Sequence, residues 1–375
     1  MTIGILKEPP FEKRVALLPE AVATLKKMNV DVWIETGAGN KAFVSDADYQ
    51  ASGGKIATPS EIFSGADAFV RINAFTTDEM AQLLPNKVVV AMFNPLSHPQ
   101  RVKDLAQKQV TSFSLDIIPR STRAQSMDTL SSIATVAGYL AVLDAALHLP
   151  KFFPMFMSAA GTIKPAKVLI LGAGVAGLQA IATSRKLGAV VEVFDVRAAV
   201  KEEVQSLGGK FIEVEGARDE KSAGGYAVEQ TEEFKQKQQQ LIHEHAIKAN
   251  VIITTAQIPG KKAPLLVPQN TVEGMTPGSV IIDLAASTGG NCELTQNGQT
   301  ISHKGVTIIG KSDYASDMSF DASKMFGNNL INFLKLIIAK DGSMNLNFGD
   351  EIVKGTCITH AGEIVNERVK TALAK

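Results

Sequence analysis

Cysteine is nearly absent from this 375-residue sequence. Cys292 and Cys357 stand far apart with no Cys-x-x-Cys, which excludes a zinc site of the usual spacing and a dithiol redox centre, and suits a reducing compartment. Net charge is absent as well: 38 Lys and Arg balance 38 Asp and Glu, which argues against a nucleic-acid surface or a polybasic membrane anchor. The six histidines make no ligand cluster, since His243 and His245 lie two apart in a polar helix and point in different directions, so no metal is expected. Long apolar runs are missing too. The N-terminus, MTIGILKEPPFEKR, turns charged at Lys7 without an h-region, and the longest candidate span, Leu330 to Ala339, is broken by Asn332 and Lys335. The expectation is a cytoplasmic chain with no membrane span of its own. Its length exceeds what one core usually serves, which sets two domains as the starting point.

What is present centres on Ala166 to Arg197, AKVLILGAGVAGLQAIATSRKLGAVVEVFDVR. Val168 to Leu171 is a short apolar run that stops at Gly172-Ala173-Gly174-Val175-Ala176-Gly177, after which apolar residues recur at helical spacing through Ala176, Ala180, Ile181 and Leu187. This reads as strand, tight turn, helix. Gly172 permits the turn, Gly174 lets a pyrophosphate approach the backbone, and Gly177 lets the helix lie close to the sheet. Phosphate would sit on the unpaired amides of the helix start. A second apolar strand, Val190 to Phe194, ends in Asp195, about 20 residues on, where a carboxylate can accept from both hydroxyls of an adenosine ribose. Val196 and Arg197 follow it at the same site. Asp195 favours NAD over NADP, because a 2'-phosphate would meet like charge; Arg197 could soften that exclusion. A glycine turn in a sheet protein that binds no nucleotide would explain the glycines and leave Asp195 an accident.

The rest of the chain alternates short strands and helices, which implies mostly parallel sheets. Strands are expected near 2–6, 30–35, 55–57, 68–72 and 87–92, with helices between them; Gly37-Ala38-Gly39 is a turn. Pro119 to Asp128 differs in kind: Arg120, Arg123, Gln125 and Asp128 crowd together just before a small-residue helix, Ser131 to Leu147, about 25 Å long. The alanine face of that helix, Ala134, Ala137, Ala141 and Ala145, invites close helix packing. Glu215 to Gln230 is polar, glycine-bearing and without apolar period, and reads as a mobile loop. Strands at 251–254 and 280–284 precede two loops, with Thr255 and Ala256 in the first, that should face the nicotinamide half of a dinucleotide. A second long helix, about 320–339, suits a return to the first domain, so the fold expected is α/β: two Rossmann-like domains with mostly parallel sheets, joined by long helices. The divisions are 1–130 plus 320–375, a linking helix 131–150, and a nucleotide-binding domain 151–319. The alternative makes the tail a small appendage of the second domain.

Essentially the whole chain resembles the NAD(H)-binding alpha subunit, domain I, of proton-translocating NAD(P) transhydrogenase. The specific pieces are RVALLPE at 14–20, PRSTRAQSMDTLSS at 119–132, the glycine stretch at 159–197, AGGYA at 223–227, TTAQIPGKKAP at 255–264 and IIDLAASTGGNCELT at 281–295. The resemblance implies NAD(H) bound here and hydride passed directly to or from NADP(H) on a partner subunit, coupled to proton movement by membrane-embedded subunits. It implies that Arg120, Gln125, Asp128 and Ser131 surround the nicotinamide and its ribose, with Gln125 also reaching toward the partner's nucleotide. By the same resemblance Tyr226 belongs to a mobile loop over bound nucleotide, and Gly172, Gly174, Val175, Gly177 and Asp195 contact adenosine and pyrophosphate. It implies a homodimer held peripherally at the inner membrane; the stretches 215–230 and Ile252 to Pro268 are the candidate subunit contacts.

The same fold resembles alanine dehydrogenase, the competing reading. Arg14 matches that family's carboxylate-binding arginine. The lysine, histidine and aspartate positions hold Arg71, Met92 or Phe93, and Ser287, so imino-acid reduction has no proton donor there. His98, separated from Phe93 by Asn94-Pro95-Leu96-Ser97, is a solvated loop histidine or a substitute. A non-enzymatic NAD-binding protein is the third reading.

Overall fold

The computed structural model describes residues 1–214, 231–258 and 260–374. The loop assigned to Glu215 to Gln230, with Tyr226, lies outside them. The chain divides into two compact units, Met1–Ile133 with Ala315–Lys375, and Ala134–Tyr314.

Strands run in order as β1 (Thr2–Ile5), β2 (Asp31–Glu35), β3 (Lys55–Ala57), β4 (Ala68–Asn73), β5 (Val88–Met92) and β6 (Thr111–Ser114). A hairpin, β7 (Phe156–Ser158) and β8 (Gly161–Ile163), comes next. Then follow β9 (Lys167–Leu171), β10 (Val190–Phe194), β11 (Lys210–Ile212), β12 (Val251–Thr254), β13 (Val280–Asp283), β14 (Gln299–His303), β15 (Val306–Gly310), β16 (Cys357–His360) and β17 (Glu363–Ile364).

In the first unit the order is β17-β16-β6-β5-β4-β1-β2-β3. The six strands β1 to β6 are parallel, in the doubly wound order 3-2-1-4-5-6, and the C-terminal β16 and β17 extend the sheet antiparallel beyond β6. The second unit repeats the plan: β11-β10-β9-β12-β13-β15 are parallel, with β14 antiparallel at the edge.

Both sheets are covered on both faces, which is why their central strands β4, β5, β9, β12 and β13 are mostly apolar and not alternating. Phe69 and Val89 pack into one core while Val70 and Val90, their chain neighbours, pack into the other. In the second unit Val168 and Ile170 face the helix bearing Ala180 and Ile181, and Leu169 and Leu171 face Ile242 and Ala246. Short helices of the first unit start at capping boxes that the sequence spells out, Thr58 with Glu61 and Thr76 with Glu79.

The small-residue helix spans Thr129–His148. It is long and apolar enough to cross a membrane by length and composition, with a mean hydropathy of 1.6, although it holds no unbroken run of 18 apolar residues. Serines, threonines, Gly138 and the charged Asp144 interrupt its apolar pattern. A third of that window is buried within the structure. Ala141 and Ala145 are fully buried in the second unit's core. Gly138 lies so close to the Ala176 carbonyl that a side chain there would overlap it, the close packing expected of the alanine face.

Candidate functional site

At the end of β9 the backbone turns through Gly172, at φ +109°, into a helix, Val175–Lys186, whose N-cap Gly174 offers no side-chain cap. The first amides of the helix are therefore left for a ligand or solvent. A methyl group at Gly177 would overlap the Gly172 carbonyl oxygen, whereas one at Gly174 would meet no protein atom within 4 Å. The two glycines do different things: Gly177 seats the helix on the turn, and Gly174 keeps the outer face of the turn open. Val175, beside it, is 40% exposed.

The turn lies where the strand order reverses, since β9 is flanked by β10 on one side and β12 on the other. β12 delivers Thr255 against it: the Thr255 amide donates to Leu171 O at 2.9 Å and its hydroxyl to Gly172 O at 3.0 Å. Ala256 is held by Asn291, which accepts from the Ala256 amide at 3.1 Å and donates to its carbonyl at 2.9 Å. Asn291 is in turn fixed by the fully buried Asp283, which accepts from the amides of Ala285, Asn291 and Cys292 and from the hydroxyls of Thr254 and Thr295. Asp283 and Asn291 are not among the residues the sequence singles out. Their one signal is position, an acid closing a central parallel strand and an asparagine in the loop after it.

Asp195 stands at the end of β10, next to the turn. Its Oδ2 accepts from the Ala173 amide at 2.7 Å and from Arg197 Nη2 at 2.7 Å; its Oδ1 accepts from the Arg197 amide at 2.8 Å and from Arg197 Nε at 2.9 Å. Val196 between them packs on the second unit's core. Thus Gly172, Gly174, Val175, Gly177, Asp195, Val196, Arg197, Thr255 and Ala256 occupy one end of one sheet. Burial pushes the Cys292 thiol up to about 11 and that of Cys357 to about 12, so neither is a thiolate near neutrality.

In the first unit, Thr122–Met127 forms a 3-10 turn that leads into Thr129–His148. Ala124 and Met127 anchor it in the core, and Asn329 and Asn332 of the helix Ser319–Ile337 donate to Ser126 O. Asp128 accepts from the Ser131 amide at 2.9 Å and from its hydroxyl at 2.7 Å, so these two expected site residues are bonded to each other at the start of the helix. Arg120 and Gln125 are exposed. Arg123 pairs with Asp350.

The positions compared above with alanine dehydrogenase are differently committed. Arg14 is gripped by Glu12, Nε to Oε1 at 2.9 Å and Nη2 to Oε2 at 2.6 Å, and both side chains are buried. Burial works to raise the Glu12 carboxyl, but the hydrogen bonds and charge of Arg14 outweigh it and hold it below the ordinary range. Arg71 is bound by Glu79 and by Lys7 O. Phe93 is fully buried against Phe75, while His98 and Ser287 are exposed. Among the described residues no group of three or more His, Cys, Asp or Glu is placed to hold a metal ion.

A glycine turn at a topological switch point, open over an uncapped helix and flanked by an acid on the next strand, defines a doubly wound dinucleotide-binding protein. Residues 4–137 match the model of the alanine dehydrogenase/PNT N-terminal domain and residues 141–367 that of the C-terminal domain. An NAD(P) transhydrogenase subunit alpha polypeptide of Rhodospirillum rubrum is 44% identical over 98% of both chains. The crystal structure of transhydrogenase from Sinorhizobium meliloti superposes with a TM-score of 0.89 at 41% identity, covering 97% of this chain and 100% of that one. An L-alanine dehydrogenase shares the fold at 23% identity, with a TM-score of 0.84 over 100% of this chain and 99% of that one. The chain belongs to the alanine dehydrogenase/PNT family, and within it to the NAD(P) transhydrogenase alpha subunits.

Proposed function

We propose that this chain is the NAD(H)-binding component of a proton-translocating NAD(P) transhydrogenase, exchanging hydride with NADP(H) on a partner subunit while membrane-embedded subunits couple the exchange to protons. The observation that carries the reading is the turn itself, open at Gly174 and closed at Gly177, in a chain that aligns over 98% of its length with a transhydrogenase subunit alpha polypeptide. The helix amides after Gly174 would hold the pyrophosphate and Asp195 the adenosine ribose, with the loop of Thr255 and Ala256 facing the nicotinamide half. Arg120, Gln125, Asp128 and Ser131 would address the nicotinamide and its ribose, with Tyr226 in the closing loop. Nicotinamide supplies the hydride chemistry, carbon to carbon. The chain's residues therefore bind, orient and exclude water, and no side chain has to move a proton. NADH is expected to bind and NADPH to bind much more weakly in a direct titration; equal affinities would sink the reading. Alanine is expected to support no steady reduction of NAD+, because Glu12 occupies Arg14 and no acid or base stands at Phe93.

We propose a homodimer at the inner-membrane surface as the working state. Support comes from the hairpin β7–β8, whose six residues are all exposed, with Phe152, Met155, Phe156, Met157 and Ile163 forming an apolar surface around it. A two-stranded hairpin is marginal in water without such cover. The other candidate contact, Ile252 to Pro268, is largely committed to the core: Ile252, Ile253, Leu266 and Val267 are buried. Light scattering at micromolar concentration is expected to exceed the mass of one 39.9 kDa chain, and a monomer mass would contradict this.

A further inference from the structure

The Asp195 carboxylate has about four acceptor positions, two on each oxygen, and all four are filled. One position on each oxygen is taken by backbone, the Ala173 amide on Oδ2 and the Arg197 amide on Oδ1. The other position on each oxygen is taken by the Arg197 guanidinium, Nη2 on Oδ2 and Nε on Oδ1. A ribose diol also brings two donors, one for each oxygen. The pair is sheltered, with side chains 6% and 20% exposed for Asp195 and Arg197, so the interaction is not an incidental surface ion pair.

We infer that the Arg197 guanidinium is an internal placeholder for the adenosine ribose diol: it holds the Asp195 carboxylate oriented without nucleotide and is displaced, Nε and Nη2 together, when the two hydroxyls arrive. The inference rests on the reading that Asp195 receives the ribose of NAD(H). Two consequences follow from the swap. Binding has to break two charge-assisted hydrogen bonds before it makes two with hydroxyls, so Arg197 weakens NADH binding and speeds its release. Once displaced, the guanidinium stays near the 2' position and offsets part of the charge with which Asp195 repels a 2'-phosphate, so Arg197 also narrows the preference for NADH over NADPH.

The test is titration of the full chain and its Arg197→Ala and Arg197→Lys variants with NADH, NADPH, 5'-AMP and 2',3'-dideoxy-AMP. For Arg197→Ala the expected results are NADH affinity raised on the order of tenfold, a wider gap between NADH and NADPH, and 5'-AMP tightened while dideoxy-AMP is unchanged. Arg197→Lys, with one donor group in place of a fork, is expected to fall between. NADH affinity that falls or stays level in Arg197→Ala would overturn the placeholder and leave NAD(H) binding itself intact. Equal tightening of 5'-AMP and dideoxy-AMP would overturn it too, by showing that the hydroxyls are not what Arg197 competes with. A wild-type chain that binds neither NADH nor 5'-AMP would overturn the nucleotide reading together with it.

Discussion

Gly177→Ala is expected to reduce NADH affinity at least 100-fold and to lower stability, whereas Gly174→Ala is expected to weaken NADH binding with stability almost unchanged. The contrast follows from what each new methyl meets. At Gly177 it would overlap the Gly172 carbonyl, a backbone atom fixed by the Thr255 hydroxyl and by the sheet, so the helix Val175–Lys186 has to lift off the turn. Overpacking of this kind costs about 1–3 kcal/mol or more, and it moves the helix amides that would hold the pyrophosphate. At Gly174 the methyl meets no protein atom within 4 Å, and φ of −75° is open to any L residue. Stability should then change by only about 0.5 kcal/mol, while the methyl stands where a pyrophosphate would approach. Thermal melts beside NADH titrations read both quantities. A Gly177→Ala variant with wild-type affinity and melting temperature, or a Gly174→Ala variant with wild-type affinity, would remove the turn from the binding site.

Gln125→Asn is expected to slow hydride transfer on the order of 100-fold while NADH affinity changes little. Gln125 is exposed on a 3-10 turn that Ala124 and Met127 pin to the core, so its backbone is fixed and its amide projects from a rigid base. Removing one methylene withdraws that amide by about 1 Å, a misplacement that matters most where two nicotinamide rings must meet. An interaction made only in that contact affects rate and not ground-state binding. Single-turnover transfer in the complex reconstituted with the NADP(H)-binding partner, measured beside NADH affinity, separates the two. An affinity loss that accounts for the whole rate loss would make Gln125 a plain nucleotide contact.

The long apolar strands of both sheets are legible in the sequence because strands buried on two faces are continuous apolar runs, as at Val168 to Leu171 and Val251 to Thr254. The glycine turn is legible because Gly172 answers a backbone demand, at φ +109°, and Gly177 a steric one, against the Gly172 carbonyl, while Gly174 leaves the outer face open. β6 is not, because Thr111-Ser112-Phe113-Ser114 looks like loop; the hydroxyls of Thr111 and Ser112 are paired by His360 and Thr359 of β16, about 250 residues away in the chain, and that of Ser114 by Asp116 and the Phe93 amide. The helix Pro99–Gln107, the pair β7–β8 and the edge strand β14 escape sequence reading for a related reason, since short or half-polar segments are decided by tertiary neighbours. In the candidate site, residues defined by local pattern are legible and those defined by distant partners are not. Asp283 and Asn291 organise the Ala256 loop through five side-chain and backbone donors that no spacing rule connects. The fork of Arg197 on Asp195 belongs to the same class: the sequence shows two neighbours, and only the folded chain fills the carboxylate.

The most direct measurement of direct hydride exchange is isotope retention in the reconstituted complex. NADH carrying deuterium at the transferable position of nicotinamide C4 is bound to this chain, NADP+ to its partner, and the products are analysed by mass spectrometry after one turnover in ordinary water. Direct transfer predicts that the deuterium appears quantitatively in NADPH and none is lost to solvent. Deuterium washed into water, or NADPH formed only when an added amino acid or oxo acid is present, would contradict it.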